Sequence, residues 1–135
     1  MAANVTPIFP SVVNNGRVTI VNADGTTAKS LFSAGTNGSR VDQIVCTSDD
    51  SASETIQLII NDGTNDNVVG EIAIPAGAGT NGSTKAVKVI NSTDLPWLSD
   101  SGSIFIKTGY SIKVKSKAAV TAAKTLTFVA FAGDF

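Results

Sequence analysis

The residues that most often carry out catalysis are few in this chain. The sequence contains no histidine, which removes the commonest general base and the commonest zinc ligand. Eleven acidic side chains remain, and a glycosidase needs only a pair of them. The candidates for such a pair are Glu54, Glu71, Asp42 and Asp94. Their positions do not link any two of them into one cleft, so we predict that the chain is not an enzyme.

These carboxylates and the single thiol have simpler structural explanations. Asp42 lies two residues from Arg40 on one face of an expected strand, which indicates a surface ion pair. Glu54 begins an expected strand, and Glu71 interrupts an exposed strand face. Cys46 lies in an alternating apolar run, and no histidine is present to activate it. We therefore expect Cys46 to be a small buried hydrophobe.

Two polar loops resemble ligand sites without completing one. Residues 61–67 read Asn-Asp-Gly-Thr-Asn-Asp-Asn, and with Asp49 and Asp50 they offer oxygen ligands to calcium. Their spacing does not match an EF-hand loop, and turn formation already explains Asn-Asp-Gly. Residues 77–82 are rich in glycine but lack the Gly-Lys-Ser/Thr ending of a phosphate-binding loop. We predict no metal and no cofactor.

The charge pattern does not favour nucleic acid or membrane partners. The net charge is −1, from ten basic and eleven acidic residues, so the chain has no strong overall field. Lys113, Lys115 and Lys117 share one strand face, but without interleaved aromatic residues they indicate a solvated face. No apolar run approaches the ~20 residues of a membrane span, and the first residues lack the pattern of a secretory signal. We expect synthesis in a cytoplasm.

The hydrophobic pattern predicts an all-β fold. Apolar residues alternate with polar ones in short runs bounded by Gly, Asn, Asp and Ser. The clearest runs are residues 110–117 and 55–60, and further strands are expected at 17–21, 28–32, 40–47, 68–74, 85–90, 103–107 and 125–131. About nine short strands at regular intervals are typical of a sandwich. We predict a single antiparallel β-sandwich, jelly-roll-like, over residues 14–135.

The first thirteen residues do not fit this pattern. Pro7 and Pro10 flank Ile8 and Phe9, and proline restricts its own backbone and that of the residue before it. Residues 1–13 are therefore predicted to form an extended apolar arm rather than a central strand. Such an arm gains order when it lies on a partner.

Four separated segments together resemble one family of proteins. They are residues 31–40 (Leu-Phe-Ser-Ala-Gly-Thr-Asn-Gly-Ser-Arg), 58–65 (Leu-Ile-Ile-Asn-Asp-Gly-Thr-Asn), 108–114 (Thr-Gly-Tyr-Ser-Ile-Lys-Val) and 129–135 (Val-Ala-Phe-Ala-Gly-Asp-Phe). This pattern resembles the capsid decoration, or cement, proteins of tailed bacteriophages, which have jelly-roll-like folds. The resemblance implies a virion protein on the outer capsid surface. It would bind the major capsid protein, commonly as a homotrimer, and stabilise the mature shell.

Four apolar residues are the candidates for partner binding: Ile8, Phe9, Trp97 and Phe135. Trp97 follows Pro96 in a stretch without strand alternation, where it either packs on the core or anchors a partner. Phe135 either covers the bottom of the sandwich or seals a subunit interface. The alternative function is a carbohydrate- or receptor-binding sandwich of a head fibre or tail. One Trp and one Tyr offer few rings for sugars.

Overall fold

The computed structural model describes residues 9–99 and 102–135, so the predicted partner-binding residue Ile8 lies outside the described residues. Within these residues the fold is all-β, with two antiparallel sheets packed together as the alternation predicts. The strands are β1 (Val12–Val13), β2 (Gly16–Val21), β3 (Lys29–Ser33), β4 (Ser39–Ser48), β5 (Glu54–Asn61), β6 (Asp66–Ile74), β7 (Val87–Lys88), β8 (Ile104–Ile106), β9 (Ser111–Ser116) and β10 (Thr125–Asp134). A short 3-10 turn covers Asn22–Asp24. None of the described residues forms a helix long and apolar enough to span a membrane.

The strands divide into two sheets with different edges. In sheet A, β10 pairs with β2 and β1 on one side and with β4 on the other, and β4 then pairs with β7 and β8. Sheet B has the order β3, β9, β5, β6. The edges of sheet A are therefore each built from two short strands, while those of sheet B are single strands.

Strand pairing is nested along the chain. β5 pairs with β6, β4 with β7 and β8, β3 with β9, and β2 with β10, and every pair is antiparallel. The chain thus forms one long hairpin of paired strands that is wrapped into two layers. Strands that are far apart in sequence become neighbours, and this brings both ends of the chain to β10.

The interior is filled by alternate residues of both sheets. Ile20, Ile44 and Phe128 from sheet A meet Leu58 and Ile112 from sheet B, and all five are fully buried. Burial of this kind stabilises each large side chain by about 1.5–3 kcal/mol relative to exposure. This shared core holds the two sheets together.

Cys46 belongs to the same core, as the sequence predicts. Loss of contact with water raises the pKa of the Cys46 thiol to about 12. The thiol therefore stays protonated and unreactive at neutral pH.

One strand is shorter than its sequence pattern predicts. Residues 85–90 alternate, but only Val87–Lys88 forms a strand. The cause is Gln43, whose side-chain oxygen accepts the Ile90 N–H at 3.1 Å while its amide group donates to the Ile90 carbonyl at 3.2 Å. Next to Gln43, the pairing register of β4 with β10 skips Asp42 and forms a bulge. The Gln43 side chain thus takes the place of a backbone partner for Ile90, and β7 ends before this residue.

Candidate partner-binding surface

The outer face of sheet B carries Lys113, Lys115 and Lys117, and two of these lysines are paired with carboxylates of the same chain. Lys113 lies 3.1 Å from Asp66, and Lys117 lies 2.8 Å from Glu71. Hydrogen bonds, chiefly from Lys117, hold the pKa of Glu71 below its ordinary value. A lysine that is already matched with a carboxylate has little charge left to attract a phosphate. This face has the character of a solvated surface.

The outer face of sheet A carries exposed apolar side chains instead. Phe131 lies outward on β10 and is 47% exposed, although Phe128 and Ala130 of the same strand are buried. Val13 on β1 and Phe105 on β8 are more exposed still. Exposed large apolar side chains that share one face make that face a candidate contact surface.

Strand register places two of these residues in one row across sheet A. Val13 pairs with Gly133, Gly133 with Arg40, and Arg40 with Phe105. Gly133 is required in this row, because a Cβ at this position would lie 2.5 Å from the Cβ of Pro10. The end of the predicted arm therefore packs directly on the backbone of the last strand.

Asp134 joins the base of the arm to the sheet. Its carboxylate accepts two hydrogen bonds of 3.0 Å from the Asn14 side-chain amide and one from the hydroxyl of the buried Ser39. The Ser11 N–H donates to the Asp134 carbonyl at 2.8 Å. Residues from both ends of the chain and from β4 thus meet at one carboxylate.

Phe135 lies at the outside of the sandwich. Its ring stacks on Phe105, with centroids 6.2 Å apart and an interplanar angle of 11°. Its N–H donates to the Gly38 carbonyl at 3.2 Å. Phe135 therefore enlarges the exposed apolar surface around Phe105 and does not fill the buried core.

A groove opens between the free edges of the two sheets, and we call it the edge groove. Its volume is about 590 Å³. Its walls are mainly apolar and comprise Ile60, Val68, Val69, Trp97, Ile104, Phe105, Ile106, Lys107 and Tyr110. Residues of β5 and β6 form one wall and β8 forms the other. The size is within the range of sites that hold small ligands or a few side chains, ~300–1,000 Å³.

Trp97 is fixed as a wall of the edge groove rather than as a core residue. It is 48% exposed, and its indole N–H donates to the Val69 carbonyl at 2.7 Å. The preceding turn is held by Asn91, whose backbone carbonyl accepts the Leu95 N–H at 3.0 Å. Leu95 is fully buried and packs on Gly70, where a Cβ would lie only 2.2 Å from the leucine side chain. The buried leucine therefore positions the exposed tryptophan.

The structure separates the predicted partner-binding residues. Trp97 and Phe135 lie on or next to Phe105, whereas Phe9 is 71% exposed at the start of the described arm and does not line the groove. Sequence reasoning missed Phe105 and Phe131. Both lie in runs that are apolar on both strand faces, at residues 104–106 and 128–132, and this two-sided pattern was the available signal.

One of the four carboxylates considered for catalysis, Glu54, lies beside a carboxylate that the sequence analysis did not consider for such a pair, Asp50. Asp50 is fully buried, and Glu54 hydrogen bonds to it. Burial opposes ionisation of Asp50, but hydrogen bonds from the Ala52 and Thr121 N–H groups outweigh it and lower the pKa of Asp50 to about 2. Burial, with the hydrogen bond and charge of Asp50, raises the pKa of Glu54.

This carboxyl pair lies away from the grooves of the molecule. Neither residue lines the edge groove. Asp42, Glu71 and Asp94, the other carboxylates considered for catalysis, are engaged elsewhere with Arg40, Lys117 and Asn91 respectively. In the described part of the chain, no group of three or more Cys, Asp or Glu residues is arranged to hold a metal ion.

Comparison with known proteins adds no relatives. No protein-family model matches the sequence. A search of curated proteins also finds no match. The functional argument therefore depends on the sequence and the surfaces described above.

Proposed function

We propose that this protein is a bacteriophage capsid decoration protein that binds the outer surface of the assembled head through sheet A and stabilises the shell, as a homotrimer. The observation that carries the proposal is the set of exposed apolar side chains on the outer face of sheet A, Val13, Phe105 and Phe131, which lie there beside Arg40. On the opposite face, on sheet B, Lys113 and Lys117 are already paired with carboxylates of the same chain. A face with several exposed aromatic and aliphatic side chains and an arginine is suited to lying on a larger particle.

The strand order supports the structural part of this proposal. The nested antiparallel pairs in a six-stranded and a four-stranded sheet, β2 with β10 and so on to β5 with β6, are compatible with a jelly-roll-like arrangement. Jelly rolls occur in viral capsid proteins but also in lectins and cupins, so topology alone does not give the function. The resemblance of the four sequence segments to decoration proteins favours the capsid among these.

Energetics are compatible with a cement role. A buried aromatic side chain removes about 150–250 Å² from water, and each Å² of apolar surface contributes about 25 cal/mol. Phe131, Phe105 and Phe135 together supply a modest attraction per copy. A trimer multiplies this attraction, because the second and third contacts form at a high effective concentration.

Binding to shells that lack the protein tests the proposal. Phe131→Ser removes an exposed apolar side chain from sheet A and is expected to weaken cosedimentation with shells at least tenfold. The matched control is Lys115→Ser on sheet B, which should bind like the wild type. Equal binding of all three proteins, or loss only in the lysine variant, would overturn the proposed surface. Shells that retain DNA under heat equally well with and without the protein would overturn the cement role.

The edge groove favours one second candidate, a glycan- or receptor-binding role on a head fibre or tail. Trp97 and Tyr110 both line the groove, and sugars pack on such rings. This candidate predicts specific glycan-array binding that Trp97→Ala abolishes while leaving the fold intact. Absence of any array signal for the wild type would remove this candidate.

A further inference from the structure

We propose that the edge groove of one copy binds the N-terminal arm of a second copy, with Phe9 as the anchoring side chain. This assigns a function to the edge groove and the arm, and Phe105 is shared between the groove and the proposed shell-binding face. It concerns the protein's contact with itself, so it can be tested in the absence of any shell. Its failure would leave the decoration function standing.

The groove is built to accept an extended segment. β8 pairs with β4 on one side, and no other strand among residues 9–99 and 102–135 pairs with its second edge. β6 is an edge strand of sheet B, but Trp97 already occupies its Val69 carbonyl, so β8 supplies the free backbone edge of the groove. A free strand edge offers backbone N–H and C=O groups to an incoming strand, and alternate side chains of that strand would enter the apolar groove.

The arm has the composition that the groove requires. Residues 1–13 contain no charged side chain, and two prolines favour an extended backbone around Ile8 and Phe9. Phe9 is 71% exposed, so its own chain does not bury it. The groove walls nearest to solvent are Val68, Trp97 and Phe105, which match an aromatic side chain in polarity.

In this structure Phe9 is 71% exposed and does not line the groove of its own chain. The arm leaves sheet A at β1, beside β10, whereas the groove lies beyond β8 at the other edge. Three strand spacings separate Val13 from Phe105 along their row, about 14 Å at ~4.8 Å per spacing. An arm at one edge and its binding groove at the other form a head-to-tail contact, and such contacts close into a ring of identical copies when the rotation between neighbours closes.

Photochemical crosslinking tests the occupant directly. Phe9 is replaced by the photoreactive benzoylphenylalanine, which keeps an aromatic ring at this position, and the purified protein is irradiated alone. We expect covalent oligomers whose crosslinked peptides map to residues 66–74, 91–98 or 104–110. Adducts to the groove within a single chain would show that the arm binds its own groove and would overturn the proposal. Adducts elsewhere, or no covalent oligomer, would also overturn it.

A pair of variants in one strand provides the matched control. Val68→Lys places a charge in the groove and is expected to reduce the crosslinked oligomer at least tenfold and to lower the mass measured by sedimentation. Ala73→Lys adds the same charge at an exposed position of β6 outside the groove and should leave both unchanged. Thermal melting curves confirm that both variants are folded. Equal amounts of crosslinked oligomer and equal masses for the two variants would contradict binding of the arm in the edge groove.

Discussion

The two outer faces of the sandwich are built from strands of the same type, yet they differ in chemistry. On sheet B, outward positions hold lysines, and two of these pair with Asp66 and Glu71. On sheet A, outward positions include Val13, Phe105 and Phe131. Both faces lie over one shared core, so the needs of folding alone do not explain the difference.

We interpret the difference as the result of a contact that sheet A makes and sheet B does not. Polar side chains on a solvent-exposed face keep the protein soluble, and lysines there also discourage strand pairing between molecules. Exposed apolar side chains lower the solubility of a protein, and this effect disappears when another surface covers them. We therefore interpret sheet A as the interacting face and sheet B as the exposed one.

The largest stability effect is expected at Asp134, whose carboxylate joins the arm to sheet A. Asp134→Ala removes acceptors used by Asn14 and by the buried Ser39. Hydrogen bonds to a charged group contribute about 1.5–3 kcal/mol each, and both Asn14 and Ser39 donate to this carboxylate, so we expect a loss of about 3 kcal/mol or more in the free energy of unfolding. Denaturant titration measures the loss. Asp134→Asn, which keeps the shape and one acceptor, should lose less.

Asp66 on sheet B is the carboxylate to compare with Asp134 on sheet A. It pairs with Lys113 and Asn61 at the surface, where ion pairs contribute little to stability. Asp66→Ala should therefore destabilise the protein clearly less than Asp134→Ala. Equal losses would show that the arm junction is no more important to the fold than a surface ion pair, and the contrast between the faces would be weakened.

The sequence predicts the strands well because each strand carries a local signal. Alternation in residues 40–47 and 110–117 identifies β4 and β9 without any tertiary information. β7 shows where local signals fail. Its end is set by Gln43, which is more than forty residues away in sequence and replaces a backbone pair.

The candidate surface is only partly predictable for the same reason. Trp97 and Phe135 attract attention as isolated aromatic residues, and both lie at the surface. Phe105 and Phe131 are hidden among apolar neighbours, and only the strand register shows which of these side chains face outward. Likewise, Asp50 and Glu54 meet only because Thr121, from a distant loop, helps to hold Asp50 in the interior.

The buried carboxyl pair gives a pH prediction that is independent of either face. Glu54 has a raised pKa in the folded protein, so it keeps a proton that the unfolded chain releases near its ordinary value of 4.5. Its contribution to stability is present below that value and is lost as the pH rises through the raised pKa. Asp50 has a lowered pKa of about 2, so its contribution is lost as the pH falls from about 4 toward 2.

Together these two groups place a maximum of stability near pH 4 to 5, and chemical denaturation across pH 2–8 measures it. Glu54→Gln keeps a neutral hydrogen-bond donor beside Asp50 and should remove the decline on the alkaline side. Glu71→Gln on the face of sheet B, where the pKa is lowered, should leave that decline in place. An unchanged alkaline decline in Glu54→Gln would show that another group causes it.

Salt should have the smallest effect on shell binding, and it distinguishes apolar contacts from charged contacts most directly. Raising the ionic strength from about 0.1 to 1 M shortens the screening length from ~10 to ~3 Å, which weakens contacts made by lysines but leaves apolar contacts in place. If shells bind the Phe131 face, the Kd for decoration should change less than about threefold over this range. A loss of tenfold or more would show that charged side chains carry shell binding, either the lysines of sheet B or Arg17, Arg40 and Lys88 on sheet A. The exposed Phe105 and Phe131 would then be left for contacts between copies.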